Sequence, residues 1–580
     1  MGTRLASSFR PTLLSFASVL VAATTVAADE LADVLGLVPD DAVAWAVIPN
    51  LSRTNADLSD LIDRADRPEL AVAGRPVDVL VSQLGVAAGF DERGSLAIWS
   101  PTIDDLLVGA GVAAVPVESA TRFLEANLAP EPAGGEDAYR RPDGTLLFAR
   151  VLDDHVLLAP RRDLLDGWQA GSGVDRLGTA FGAEPLGDMR RMDVLLRITG
   201  DAVDAAQDAA DRDVMGFEPP GGAEAITPDM MELADDLRQA VGGAEDIVVG
   251  LDADALALGI RGWTRYASGS VAAIAASGAR PGSSPLASLP AGPYYLALGI
   301  DFKALGGAFA FRELQRLLGD RLGLDDRTAE LADVVDGVAF SVRPSKLGIA
   351  MGGVLNDAGV VITTRDPKRV ATAVGEAVAS LDGVDGAVER SATFERGVEQ
   401  RNGRIADQIT VKTEIADADR REPGSRVGDA SIVLTATNLT FGPRGWLGLG
   451  RDTESGYVVT FSRRPDVLDR FTNPDGLDGD PVITAMSGWM PASPGMQAFV
   501  DVGRIARLAR QVATLVPGGE QIVPDLDLEM PPIGFGLSLS PSANESAVLE
   551  WGAVVPSEVI GITVGLAISD LLGAPEGAGP

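Results

Sequence analysis

The residue type best suited to acid–base chemistry occurs once in the 580-residue chain, as His155. It follows Asp154, and a carboxylate that holds an imidazole can form a proton relay. On a strand, however, adjacent side chains point to opposite faces, so these two are not expected to orient one another. The sequence instead predicts the tight turn of a hairpin between Leu146 to Val151 and Val156 to Ala159. We therefore assign no catalytic role to His155.

Two arginine pairs recur where a predicted strand is followed by a predicted helix. Arg161-Arg162 stands before Asp163, and Arg463-Arg464 stands before Asp466. Arginine stays protonated and its planar guanidinium binds oxyanions, so each pair could hold an anion. The alternative is a repeated structural turn in which the arginines pair with the nearby Asp163 and Asp466. We favour the structural turn.

The acidic residues suggest a metal site at only one place, the run Asn473 to Asp480. Its carboxylate and amide oxygens are the ligands that Ca²⁺ prefers. The spacing departs from the EF-hand order, and no glutamate stands at the closing position. Turn chemistry explains the same residues. We therefore predict no metal here.

Other kinds of chemistry are excluded by residues that the chain lacks. There is no cysteine, so disulfides, thiolate catalysis and cysteine zinc sites are impossible. A single histidine rules out a two-histidine metal site within one chain. No Gly-x-Ser-x-Gly elbow and no phosphate-binding Gly-x4-Gly-Lys-Ser/Thr loop occurs. We predict no cofactor, and we assign no catalytic, cofactor-binding or metal-binding residue.

The N-terminus has the order of a secretory signal peptide. Arg4 and Arg10 precede an uncharged, largely apolar run from Pro11 to Ala28, which ends in small residues before Asp29. The run is shorter than the ~20 residues that span a bilayer. Cleavage after Ala27 or Ala28 would export the chain to the periplasm or the cell exterior. The formal net charge of −35 makes a nucleic-acid partner improbable.

The elements that would position any site recur along the chain. Strand-and-helix phrases of the first half return in the same order in the second: Ala42 to Ile48 with Tyr294 to Ile300, Val112 to Asn127 with Val360 to Val378, His155 to Asp166 with Tyr457 to Asp469, Met192 to Ala210 with Met496 to Leu515, and Ala255 to Trp263 with Ala547 to Trp551. Asn50, Asp301 and Asp366 are expected to cap helices or form Asx turns. The shared order predicts a tandem duplication.

The predicted organisation follows from these repeats. It comprises a signal peptide at 1–28, a first half at 29–276, a linker at 277–288, a second half at 289–574 and a tail at 575–580. The second half carries an insertion near 385–450, which we expect to form long hairpins or loops. The apolar stretch Val559 to Ile568 is too short to span a membrane, and we expect a helix packed on the second half.

Alternating strands such as Tyr457 to Phe461 favour antiparallel sheets with one covered face. The predicted class is α+β, in which each half is a large, mostly antiparallel, curved sheet with helices on one face.

Three features together resemble planctomycete-type exported proteins of unknown function. They are the signal peptide, the Leu37-Val38-Pro39 phrase before an apolar strand, and the Arg-Arg-x-x-x-Leu phrase that begins at Arg463. The resemblance covers most of the mature chain. It implies an envelope or extracellular setting, and it carries over no catalytic residue.

Three functional hypotheses remain open. The first is a non-enzymatic binding or scaffold protein of the cell envelope, with another envelope protein as partner. The second is a periplasmic carrier of a lipid or other apolar ligand, which would need a large apolar cavity. The third is a carboxylate-based hydrolase, but with 83 acidic residues the sequence cannot single out a catalytic pair.

Overall fold

A computed structural model describes residues 30–65, 88–205, 243–280, 282–312, 330–400, 403–417, 421, 426–514, 530–542 and 545–561. The predicted signal peptide lies outside these ranges. The chain divides into two compact units. The first unit comprises residues 1–273 and 541–580, and the second comprises residues 274–540.

The described residues form 21 strands. They are β1 Ala44–Ile48, β2 Leu96–Ser100, β3 Val112–Pro116, β4 Ala129–Pro130, β5 Ala138–Arg140, β6 Leu146–Val151, β7 His155–Ala159, β8 Val194–Thr199, β9 Ala244–Ala253, β10 Ala257–Tyr266, β11 Leu296–Asp301, β12 Val335–Val342, β13 Gly359–Thr364, β14 Gly383–Asp385, β15 Val388–Glu399, β16 Ile405–Ile415, β17 Trp446–Thr453, β18 Gly456–Thr460, β19 Met496–Val500, β20 Ile533–Pro541 and β21 Ala547–Pro556.

Fourteen helices accompany these strands in the part of the chain that the structure describes. They are α1 Glu30–Gly36, α2 Leu51–Arg64, α3 Ile103–Leu107, α4 Ala120–Asn127, α5 Asp163–Asp166, α6 Gly173–Phe181, α7 Ala183–Met189, α8 Val271–Gly278, α9 Ile349–Gly352, α10 Pro367–Ala379, α11 Val427–Phe441, α12 Pro465–Thr472, α13 Pro481–Met486 and α14 Val502–Ala513. Short 3₁₀ turns lie at Pro132–Gly134, Leu477–Gly479 and Ser487–Trp489.

Every described strand pair is antiparallel, which confirms the α+β class with antiparallel sheets. The first unit has the strand order β4-β5-β6-β7-β3-β2-β1-β8-β9-β10-β21. The second unit has the order β14-β15-β16-β17-β18-β13-β12-β11-β19-β20. Nine consecutive strands thus follow the same pattern in both units, from β4 to β9 in the first order and from β15 to β20 in the second, while the tandem duplication itself stays a prediction.

The helix starts follow from capping side chains that the sequence identified. Asn50 accepts the backbone N–H of Arg53 at 3.1 Å at the start of α2, and Asp366 accepts that of Arg369 at 3.1 Å at the start of α10. Asp301 accepts the N–H of Lys303 at 2.9 Å. These bonds satisfy backbone donors that a helix or turn leaves unpaired. The predicted caps are confirmed.

The apolar runs form strands because the sheets bury their side chains. All five residues of β1 are buried, as its continuous apolar sequence predicts. The core of the first unit includes the fully buried Trp99 and Trp263. In the second unit Tyr457 and Phe499 are fully buried. These cores hold the strand ends and turns that carry the polar side chains discussed below.

Two predictions about the later part of the chain are corrected. Residues 388–415 do form a long hairpin, but α11 follows it as a 15-residue helix that the sequence did not indicate. Its apolar side chains occupy the whole circumference instead of one stripe, so no helical period is visible. The start of the apolar stretch at Val559 belongs to the first unit, where Ile560 packs on Leu58 and Leu61. The expected packing on the second half is therefore wrong.

Candidate functional site

His155 is the first residue of β7, directly after the hairpin turn that the sequence predicted, and its orientation differs from the expectation. Its Nδ1 is 2.8 Å from Oδ1 of Asp154, and its Nε2 is 2.9 Å from the carbonyl oxygen of Ser95. The alternation argument fails because Asp154 belongs to the turn and not to β7. His155 is buried with both ring nitrogens engaged. Neither nitrogen is free to take a proton from a substrate.

The two arginine pairs are structural turns, as we favoured. Arg161 binds Asp163 through Nε at 3.1 Å and Nη2 at 2.7 Å. Arg464 binds Asp466 through the same atoms, at 3.2 Å and 2.6 Å. The remaining nitrogen, Nη1, of each guanidinium donates to a buried aspartate that the sequence did not identify. Arg161 reaches Asp105 at 2.7 Å, and Arg464 reaches Asp357 at 2.9 Å.

These bonds keep the exposed carboxylates ionised. The hydrogen bond from Arg161 lowers the pKa of Asp163. Burial alone would raise the pKa of Asp466, but the hydrogen bond and charge of Arg464 outweigh it and lower that pKa. A carboxyl whose folded pKa is lowered contributes stability above its unfolded pKa of about 4 and loses that contribution as the pH falls through the folded value. The clusters therefore act as acid-sensitive structural links.

The acidic run Asn473 to Asp480 is built by turn chemistry. Oδ1 of Asp480 accepts the N–H of Val482 at 2.9 Å and so caps α13. The side chain of Asn473 donates to the hydroxyl of Thr472 at 3.2 Å. Among the described residues, no group of three or more acidic or histidine side chains is arranged to hold a metal ion.

A buried carboxyl group that the sequence did not identify lies just before β8. Asp193 is 1% exposed, and its Oδ2 accepts the N–H of Ala253 at 3.2 Å. Its Oδ1 lies 4.0 Å from Nε of Arg53, and neither atom has a hydrogen-bond partner among the described residues. Burial raises the pKa of Asp193 to about 9. Near pH 7 this side chain is therefore a neutral acid.

Replacing this group, Asp193→Asn, is expected to stabilise the first unit at alkaline pH. An acid whose folded pKa is raised holds a proton that the unfolded chain has lost, so stability falls as the pH rises from about 4 toward 9. Asparagine cannot lose that proton. We expect a gain of about 1–3 kcal/mol at pH 8 and little change at pH 4. Urea unfolding at both pH values measures this, and an equal effect at both would contradict it.

An open pocket of about 400 Å³ lies in the first unit. It is bounded by α6, by the neighbouring strands β9 and β10, and by the chain just before β21. Its lining is largely polar: Ser172, Asp175, Arg176, Thr179, Ala180, Asp246, Arg265, Ser542 and Ser546. A second, much smaller cavity of about 20 Å³ is lined by Arg176 and Arg197 among others. Neither has the large apolar volume that a lipid carrier needs.

The second unit exposes two apolar groups, which we together call the apolar surface: Leu347 and Met351 at α9, and Ile432 and Val433 near the start of α11. Their exposed fractions are 53%, 70%, 71% and 38%, respectively. The first two flank or lie in α9, and the last two lie in α11. The chain just after α9 is bonded to the end of α11, since the N–H groups of Val354 and Leu355 donate at 2.9 Å to the carbonyl oxygens of Leu439 and Thr440. Such patches usually mark binding surfaces.

The three threonine hydroxyls of α11 are satisfied within the helix itself. No charged residue occurs from Ala430 to Pro443. The hydroxyls of Thr435, Thr437 and Thr440 donate to the carbonyl oxygens four residues earlier, at 2.8, 2.9 and 2.8 Å. Such back-bonding removes the need for water at these hydroxyls. The apolar side chains of α11 do not form a single stripe, and Ile432 and Val433 among them are exposed.

An aromatic cluster lies beside the end of α11. The ring of Trp446 stacks on Phe441 and Phe461, with centroids 6.1 Å and 5.1 Å apart. Phe461 also meets Phe340 edge-on at 6.4 Å. Offset and edge-on pairs of this kind are the favoured aromatic geometries. The cluster gives the exposed helix a rigid support.

Comparisons with known proteins add little to this geometry. The chain matches no protein-family model, and the search among curated proteins finds no match. Among solved structures, crystal forms of the protein TP0453 are similar over 49–50% of this chain and 97–100% of their own, at 9% identity and TM-scores of 0.21–0.22. These TM-scores are too low to carry any argument. The resemblance to planctomycete-type proteins stays a prediction.

No described helix is long and apolar enough to cross a membrane.

Proposed function

We propose that the chain is an exported, non-enzymatic binding protein of the cell envelope, whose second unit docks a partner protein. The observation that carries this proposal is the exposed apolar surface on α9 and α11. Ile432 and Met351 are each about 70% exposed. Their burial against a partner would contribute about 1.5–3 kcal/mol for each side chain.

Basic residues beside the apolar surface indicate the charge of the partner. Lys346 and Arg444 are exposed, and neither makes an ion pair with any described residue. They flank the apolar residues in a chain whose net charge is −35. Positive charges at the edge of an apolar patch favour a partner with an apolar centre and an acidic rim. The partner face is therefore complementary to this surface and not to the rest of the chain.

The geometry favours neither rival function. The polar lining of the 400 Å³ pocket does not suit a lipid or other apolar ligand. Asp193 is a neutral acid near pH 7, but Arg53 is its charged neighbour, and no second carboxyl forms a hydrogen bond to it in the described part of the chain. A hydrolase would need two carboxyl groups facing a substrate cleft.

The proposal is tested by placing a photo-crosslinking amino acid at position 432 or 351 in the exporting host. The matched control position is 372, an exposed residue of α10 in the same unit. We expect positions 432 and 351 to give the same discrete protein adduct, and position 372 to give none. The adduct at 351 should be lost when Ile432→Asp is added, because a buried unpaired carboxylate is costly.

Three results would contradict the proposed function. They are the absence of a protein adduct at both positions, an adduct with lipid, and an adduct with a second copy of this chain. Each identifies a different state of the apolar surface: uncovered, covered by a bilayer, or covered by self-association.

A further inference from the structure

We propose that the polar pocket of the first unit binds the oxyanion of a small molecule, a carboxylate or phosphate group, through Arg176 and Arg265. The pocket volume of about 400 Å³ suits a small metabolite-sized ligand. All lining residues lie in the first unit, so the site is independent of the apolar surface.

Both arginines have N–H groups that are not bonded to an acceptor in the part of the chain that the structure describes. Arg176 makes no ion pair with the residues that the structure describes, although it lines both cavities. Arg265 contacts Glu245 through Nη2 at 2.8 Å, but its Nε is buried and has no acceptor in the described ranges. A guanidinium with free N–H groups beside a cavity is suited to an oxyanion, which it binds through parallel hydrogen bonds.

The carboxylate behind the pocket does not neutralise these arginines, because another arginine occupies it. Arg197 binds Oδ1 of Asp246 through Nε at 2.7 Å and Nη2 at 2.6 Å. Both residues are almost fully buried. Arg265 is farther away, with Nη2 3.8 Å from Oδ2 of Asp246. The negative charge of Asp246 is therefore largely neutralised by Arg197.

The three arginines repel one another. Burial lowers the pKa of Arg197, and the positive charges of Arg176 and Arg265 lower it further, against the raising effect of Asp246. A bound anion would relieve this repulsion. Asp175 also lines the pocket, but it is exposed to solvent, where its charge is screened.

Two hydroxyl groups of the pocket already donate to protein oxygens, which favours an anion over a neutral polyol as the ligand. The hydroxyl of Thr179 donates to the carbonyl oxygen of Asp175 at 2.8 Å. The hydroxyl of Ser172 donates to Asp40 at 3.0 Å. These two hydroxyl donors are already committed, whereas the two arginines still offer N–H groups to a ligand.

The test measures the thermal midpoint of the full mature chain as phosphate or succinate is added, with sodium chloride at matched ionic strength as reference. We expect at least one of the two anions to raise the midpoint saturably. Arg176→Gln should weaken the apparent affinity about tenfold, as expected for the loss of a charged hydrogen-bond donor. Arg122→Gln is the matched control, because Arg122 is exposed on α4 and pairs only with Glu118 among described residues.

The pattern of response distinguishes the two ligand classes. A stronger response to phosphate indicates a phosphorylated ligand, and a stronger response to succinate indicates a carboxylate. The proposal is overturned if both anions act like chloride, or if Arg176→Gln responds as the unmodified chain does. The effect of Arg265→Gln on the apparent affinity for the anion is a second test of the same site. Crosslinking at position 432 is unaffected by any of these results, so this inference and the proposed function can fail separately.

Discussion

A chain that ends at Ser540 is expected to lose the cooperative unfolding of its first unit. Such a chain lacks β21, which pairs with β10 along ten residue pairs, from Ala257 opposite Pro556 to Tyr266 opposite Ala547. Val548 and Val554 of β21 are fully buried. Each contributes about 1.5–3 kcal/mol, so we expect a loss of at least about 3 kcal/mol from a typical domain stability of about 5–15 kcal/mol.

Hydrogen exchange along β10 measures this loss directly. The control is a chain that ends at Gly561, which retains β21. A milder variant tests the same contact, since a Cβ added at Gly262 would lie 2.1 Å from Cε2 of Trp551. Gly262→Ala is expected to cost about 1–3 kcal/mol because the ring must shift. Unchanged exchange protection of β10 in the chain ending at Ser540 would show that β21 does not complete the first unit.

The second large effect is expected from Arg464→Met. Asp357 is fully buried, and Nη1 of Arg464 is its closest cationic partner at 2.9 Å. Nη2 of Arg470 remains at 3.6 Å after the substitution. The substitution removes the closer cation and leaves only the longer contact to compensate a buried charge, and we expect a loss of about 2–4 kcal/mol at pH 7.

Two matched variants give the scale of this effect. Arg161→Met removes the corresponding contact to Asp105, but that aspartate keeps the hydroxyl of Thr102 at 2.7 Å. We expect about 1–2 kcal/mol there. Arg463→Met is the control, because the guanidinium of Arg463 is exposed and binds the hydroxyl of Thr410. Urea unfolding measures the loss in the free energy of unfolding for each variant. The largest loss for Arg463→Met would contradict the structural role of the repeated turns.

Local chemistry made much of the fold predictable from the sequence. The run at β1 is continuously apolar because the strand is buried on both sides. The caps at Asn50 and Asp366 are encoded by side chains that bond to their own local backbone. The turn between β6 and β7 follows from two consecutive aspartates, Asp153 and Asp154. Each of these signals lies within a few residues of the structure that it determines.

The unpredicted features depend on residues that are distant in sequence. Asp105 and Arg161 are 56 positions apart, and Asp357 and Arg464 are 107 apart. No local pattern distinguishes these two aspartates among 83 acidic residues. The same holds for Asp193, whose raised pKa arises from burial under the completed sheet. The arginines of the pocket, Arg176 and Arg265, are brought together by α6 and β10, which are also separate in sequence.

The apolar surface escaped prediction for a different reason. Amphipathic periodicity reveals a helix that has one buried face. The apolar residues of α11 surround the helix, so the sequence of 427–441 lacks that period. Only the structure shows that Ile432 is exposed. The absence of a local signal is itself consistent with a helix that a partner covers on its outer side.

Native mass spectrometry of the mature chain, purified gently from its exporting host, tests the central claim most directly. The account predicts a complex with a second, different protein at fixed stoichiometry. The complex should be absent for Ile432→Asp and retained for Arg122→Gln. A bare chain, a dimer of this chain, or an added mass that extracts into organic solvent would contradict docking of a partner protein on the apolar surface.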